Sequence, residues 1–285
     1  MNPIATVADA AAAVVTARVD VGAWIGGYPF RDVPHPDPET LAERVLPREG
    51  YTAAWVGHLP GAFHRDPSSS NATLYRALAP HRERLHPAPI VRPDWPRWEA
   101  TLAEAIAEGA PSVRVYPAQW GLGPGHPALA ELARACGEAG VVLHLTVRFE
   151  DLRQRHPLDR AGDVSAAVLR GVARLPGSRC HLVVAGAGRE LIEETHWGLT
   201  PLEQGRVWYD FSWLWGPPED HFAHLVRTIG PERLAWNSFW PLRLVQQCRS
   251  LIDLLPEADR ARAPDTAFAD GACIAEAARS ATRSH

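Results

Sequence analysis

"VDVGAWIGGYPF", residues 19–30, sets an aspartate inside an apolar strand, follows it with a glycine pair and closes on an aromatic–proline step. This is how a chain leaves a buried strand for an irregular loop, since glycine permits the turn and proline cannot extend the ladder. The run is the first of eight. Short apolar or β-branched segments at 18–24, 52–57, 86–91, 112–116, 141–147, 180–186, 206–211 and 233–237 read as strands. Several are continuously apolar, as strands covered on both faces are.

Helical spacing fills the gaps. "PETLAERVLPRE" carries proline in its first turn, "SSNATLYRALAPHRERL" meets Pro80 near its end, and "WEATLAEAIAEG" and "HPALAELARACGEAG" finish on glycine. "VSAAVLRGVARLPG", "RELIEETHW", "PPEDHFAHLVRTIG" and "PLRLVQQCRSLIDLL" complete the set. Eight strands, each followed by a helix, predict an α/β fold of the (β/α)8 TIM-barrel kind. A doubly wound sheet is the alternative, but "GAWIGG" lacks the glycine-rich phosphate turn that such a sheet carries after its first strand. The 285 residues suit a single domain, 1–285. Residues 1–17 are expected as an extension with a short helix on the first strand. Residues 256–285 read as a weakly helical tail that frays at its end.

Composition removes several function classes. The net charge of -4 gives no footprint for nucleic acid or an anionic membrane. All 29 residues in the Lys+Arg count are arginine. Without lysine there is no Schiff-base nucleophile, no pyridoxal phosphate anchor and no P-loop lysine. Cys136, Cys180, Cys248 and Cys273 lie far apart, as buried thiols in a reducing compartment do. No apolar run reaches the roughly 20 residues that span a bilayer. The expected location is the cytoplasm, the expected partner a small molecule, and barrels of this size also suit a homodimer.

Barrel enzymes keep their sites at the C-terminal ends of the strands. That rule selects Trp24, His58, Arg114, Tyr116, His144, Arg148, Asp210, Asn237 and Trp240. His144, inside "VVLHLTV", is either a hydrogen-bonded core histidine or a general acid or base. Arg114, inside "SVRVYP", needs a carboxylate partner or a ligand anion. Asp210 could be that partner, or could orient the imidazole. Tyr116 could donate to a developing oxyanion. Tryptophans at strand ends either floor a ligand pocket or plug the barrel mouth. No G-x-S-x-G elbow is present. The one metal set the strands offer is His58, His144 and Asp210, and no spacing compels it.

Read together, the strand ends resemble the amidohydrolase-related family (amidohydrolase family 2) over about 18–255. "VDVGAWIGGYPF" resembles its first strand, Asp-x-His-x-His-x-Gly. "GAPSVRVYP" resembles strand four, "VVLHLTV" the histidine-bearing strand five, "LVVAGAG" the end of strand six, "VWYDFS" strand seven, and "GPERLAWNSFWP" the "GpeRllfGSDyP" of strand eight. The resemblance implies a metal-dependent-hydrolase-like TIM barrel. It also implies that Gly22 and Trp24 stand where two histidine ligands would, Ala185 where a third would, and Phe239 in place of an aspartate. Only His144 keeps its family identity.

Three functions follow as expectations. The first is an enzyme without the family's metal, acting on a small, possibly aromatic, carboxylate or lactone. Its catalytic residues would be His144, Asp210 and Tyr116. Arg114, His58, Trp24, Arg148, Asn237 and Trp240 would bind substrate. The second is a non-catalytic pseudoenzyme that binds a ligand or acts as a scaffold. The third, an ordinary zinc hydrolase or decarboxylase, is disfavoured: no cofactor is expected.

Overall fold

The computed structural model describes residues 18–283, so the helix expected within 1–17 lies outside the described residues. Eight strands follow in order: β1 (Val19–Ile25), β2 (Ala53–His58), β3 (Leu85–Pro87), β4 (Ser112–Val115), β5 (Val142–Thr146), β6 (Leu182–Ala185), β7 (Val207–Asp210) and β8 (Leu234–Ala235). Every ladder is parallel. A bridge between Ile90 and Arg114 joins β3 to β4. The Val21 N–H donates to Trp236 O at 3.0 Å and the Trp24 N–H to Trp240 O at 2.8 Å, which closes β8 onto β1. The chain is a (β/α)8 TIM barrel.

Helices return the chain between strands: α1 (38–48), α2 (Ser68–Leu78), α3 (Trp98–Ala107), α4 (Pro127–Ala139), α5 (Ala166–Ala173), α6 (Arg189–Trp197), α7 (His221–Thr228) and α8 (Gln247–Asp253). The middle of α1, Leu41–Val45, is a π-helical turn. Two strands are shorter than the sequence suggested. Pro87 and Pro89 have no N–H to give the ladder, which limits β3. β8 stops at Ala235 because the Trp236 N–H donates outside the barrel, to Ala269 O at 2.9 Å.

Alternation along each strand sends one set of side chains outward under the helices and the other to the barrel axis. The axial set is layered. Its floor is apolar: Val21, Trp55, Ala88, Val142, Val183, Trp208 and Ala235 form one cluster. Ile274, Ala275 and Ala278 of α9 (Gly271–Arg283) belong to the same cluster. The C-terminal segment is therefore a docked helix over 271–283, rather than a weak one. Its apolar face is built from alanines, which carry little hydrophobic signal in sequence but permit close approach to the strands.

The top of the axis is aromatic. Trp24, Tyr28, Tyr116, Phe149, Trp213 and Phe239 pack together there, with Ala185 beneath them. Between the floor and this cap lies a polar layer.

Candidate functional site

The polar layer is placed by strand register. Arg114 and His144 are Cα partners across β4 and β5, so both face the axis at one level. Both are fully buried. The Arg114 Nη2 donates to Ala23 O and Trp55 O, each at 3.0 Å, and its guanidinium carbon stands 4.4 Å from the Trp24 ring centre. Its Nε and Nη1 make no hydrogen bond of normal geometry, although the Tyr116 hydroxyl lies close enough to interact with the guanidinium. No ion pair joins it to Asp210, so the pairing expected from sequence does not form. Burying this charge lowers the pKa of the guanidinium, because desolvation disfavours the cationic form.

His144 makes no hydrogen bond through either ring nitrogen. Burial holds its pKa well below the ordinary histidine value, and the nearby Arg114 charge lowers it further. Both effects favour the neutral imidazole. The aspartate expected to orient it faces elsewhere: Asp210 Oδ2 accepts from the Gly186 N–H at 3.0 Å and from Asn237 Nδ2 at 2.6 Å. Asp210 Oδ1 has no partner, and burial pushes the carboxyl up to about 7.

Asn237 reaches Asp210 because Gly22 leaves room for it. A Cβ on Gly22 would lie 2.5 Å from Asn237 Oδ1. Asn237 Oδ1 also accepts from the Phe239 N–H at 2.9 Å. Asp20 completes the join between β1 and the end of β8, its Oδ1 accepting from Gly22 N–H at 2.9 Å and from Ser238 N–H at 3.0 Å.

The cap seals this layer. Trp24 and Phe239 are fully buried, with ring centres 4.7 Å apart, and Trp24 meets His144 edge-on at 6.5 Å. The Trp24 Nε1–H donates to the Tyr116 hydroxyl at 3.1 Å. Tyr116 is thus committed to the cap, and burial raises its pKa. Phe239 holds φ +53, a left-handed conformation uncommon for a bulky residue, and such outliers concentrate at sites that the surroundings over-determine.

The other predicted residues lie farther out. His58 ends β2, its Nδ1 paired with Ser70 Oγ at 2.6 Å, and burial with the nearby His64 lowers its pKa to about 4. Trp240 packs in the large core between strands and helices, not with the aromatic cap. Arg148 stands above the cap, bonded to Asp163 at 2.9 Å, in the wall of a cleft of about 490 Å³ between the loops that follow β5 to β8. Arg243, Trp213, Trp215 and the start of α6 line the same cleft. Of these, Arg243 carries no strand-end signal: it lies in a loop beyond β8, where a rule keyed to strand ends stops at Trp240.

The divalent metal implied by the family resemblance does not fit these residues. Gly22 offers no donor and its space belongs to Asn237; Trp24, Ala185 and Phe239 present carbon. His58, His144 and Asp210 do not assemble into a ligand set. Among the described residues no three His, Cys, Asp or Glu side chains come together to hold an ion.

No family model matches the chain, and the search of curated proteins gives no match. Solved structures do match over nearly the full length. An uncharacterized TIM-barrel protein from Bordetella bronchiseptica superposes at TM-score 0.64 with 12% identity, over 93% of this chain and 100% of that one. An amidohydrolase II gives 0.63 with 14% identity, covering 91% and 99%. A 2,6-dihydroxybenzoate decarboxylase complexed with 2,6-dihydroxybenzoate gives 0.57 with 12% identity, covering 94% and 98%. The chain has the TIM-barrel fold of the amidohydrolase-type proteins.

Proposed function

We propose that the protein binds small carboxylates on the C-terminal face of its barrel and does so without a divalent metal. One observation carries the reading. At the axial level where this fold would gather metal donors, His144 and Asp210 are the remaining candidates, neither bonds the other, and Trp24, packed on Phe239, meets His144 edge-on. A barrel so built loses the Lewis acid and keeps the concave face on which barrel proteins hold ligands.

The ligand class is supported by the chemistry of that face. Arg148, Arg153, Arg189 and Arg243 all border the cleft, interleaved with Trp213 and Trp215. Guanidinium groups match carboxylate geometry, and indole rings match planar apolar bodies. A protein of the same fold is a decarboxylase complexed with 2,6-dihydroxybenzoate, which agrees with the class proposed here.

The test is a thermal-shift panel of aromatic and aliphatic carboxylates run with a chelator present. A saturable rise in melting temperature with at least one carboxylate is expected, since a ligand that binds only the native state stabilises it by mass action. No shift with any member at millimolar concentration would sink the reading.

A second reading is metal-independent acid–base catalysis, and the unpartnered atoms of the polar layer favour it. His144 Nδ1 and Nε2, Arg114 Nε and Nη1, and Asp210 Oδ1 are buried without a hydrogen bond of normal geometry, whereas buried polar groups are nearly always hydrogen-bonded. Under this reading the cap opens to admit a lactone, His144 takes a proton from a water that attacks the lactone carbonyl carbon, and the ring C–O bond breaks to leave a carboxylic acid and an alkoxide that recovers the proton. Turnover abolished by His144→Ala would select this reading over simple binding.

A further inference from the structure

The cleft above the cap has one basic group with all its donors to spare. Arg153 is bound to Asp151 at 2.9 Å, Arg189 to Glu193 at 3.0 Å, and Arg148 to Asp163 at 2.9 Å. Among the described residues the Arg243 side chain makes neither an ion pair nor a hydrogen bond. Its guanidinium carbon instead stands 4.3 Å from the Trp213 ring centre, while that of Arg148 lies 5.9 Å from the same centre. A guanidinium held over an indole ring by this contact keeps its N–H groups for other partners, and such groups meet a carboxylate with two parallel hydrogen bonds. Arg243 is also partly withdrawn from water, and desolvation lowers its pKa. A desolvated cation gains more from an anion than an exposed one does.

The walls limit the charge of the ligand. Glu190, in the first turn of α6, borders the cleft with no cation against its carboxylate among the described residues. Arg243 offers one anion a partner, while the Glu190 carboxylate and the Asp151 and Asp210 carboxylates that act on Arg243 oppose a second negative charge. The apolar surface beside Arg243 is indole: Trp213 in the cap and Trp215, half-exposed at the rim.

We infer that this cleft seats a planar monocarboxylate, with its anion on Arg243 and its ring beside Trp213 and Trp215. The inference rests on the carboxylate reading above and adds the place, the anchoring residue and the charge of the ligand. The sealed polar layer below takes no part in holding it.

Isothermal titration calorimetry with benzoate, isophthalate and acetate tests this on the full chain, on Arg243→Gln, on Trp213→Leu and on His144→Ala. Circular dichroism would check that each variant is folded; Arg243→Gln removes no hydrogen bond within the protein. Benzoate should bind once per chain, and isophthalate no more tightly. Arg243→Gln should weaken benzoate by about tenfold or more, the scale of a lost charge-assisted hydrogen bond. Acetate should bind more weakly than benzoate, and Trp213→Leu should reduce that gap. Benzoate affinity unchanged in Arg243→Gln, or isophthalate favoured tenfold, would overturn the inference. Binding lost in His144→Ala but kept in Arg243→Gln would also overturn it, moving the ligand to the polar layer and leaving the carboxylate reading intact. No heat with any of the three compounds would contradict both.

Discussion

Asn237 fills the space that Gly22 leaves at the barrel axis, so that a Cβ on Gly22 would stand 2.5 Å from Asn237 Oδ1. The two residues form one packing unit across the β8–β1 closure. The unit also fixes Asp210 and the Phe239 backbone, both of which hydrogen-bond to the Asn237 side chain.

Gly22→Ala should therefore destabilise the fold by about 1–3 kcal/mol, the usual cost of overpacking a filled core. Asn237→Gly alone removes two hydrogen bonds and opens a void, so it also destabilises. In the double variant the added methyl enters the vacated space, and the two effects should couple by about 0.5–3 kcal/mol in the stabilising direction. Urea denaturation of the four species measures the coupling. Simple additivity would show that the two side chains do not compete for one space.

The pH dependence of Asp210 has a definite sign. Its carboxyl rises to about 7 in the fold from 3.8, chiefly through burial. Between these values the folded protein holds a proton that the unfolded chain has released, so stability falls as pH rises through this window and levels off above it. Asparagine resembles the protonated acid. The melting temperature of Asp210→Asn relative to wild type should rise from pH 4 to pH 7 and stay constant beyond. His58 works in the opposite direction: its pKa falls to about 4 in the fold, so its contribution is complete above about 6.5 and is lost toward pH 4. Comparing the variant with wild type at each pH cancels the histidine contribution, and a flat difference would contradict the burial of the Asp210 carboxyl.

Phe239 is the residue whose removal should open the axis. Phe239→Gly relieves a left-handed phenylalanine but deletes a fully buried ring. The ring costs about 3–5 kcal/mol to remove and the relieved strain returns about 1–3 kcal/mol. A net loss of stability is expected, together with new reactivity of His144 toward diethyl pyrocarbonate, read by peptide mass mapping. His144 modified at equal rates in wild type and variant would show that the cap does not seal it.

The eight strands were legible in the sequence because parallel strands buried on both faces leave continuous apolar runs, and all eight lie where those runs fall. Boundaries failed where hydrogen bonds leave the ladder, at the prolines of β3 and at Trp236. Within the site, the strand-end rule selected Arg114 and His144, and the β4–β5 register sets the two side by side on the axis. The same rule selected Trp240, whose side chain packs in the outer core just past the left-handed residue Phe239. Asn237 was selected by position, but its partnership with Gly22 depends on which side chain fills a shared volume, and no single-strand pattern encodes that. The pairing of Asp210 with Arg114 failed for a related reason: the Asn237 amide and the Gly186 N–H reach its carboxylate first.

The account's central claim is carboxylate binding without a metal, and calorimetric titration of benzoate into metal-stripped protein tests it most directly, run with chelator and repeated after adding zinc or manganese. The account predicts one benzoate bound per chain with the same affinity in every arm, and no stoichiometric metal in the purified protein. Binding that appears only once a metal is restored, with one ion retained per chain, would contradict it.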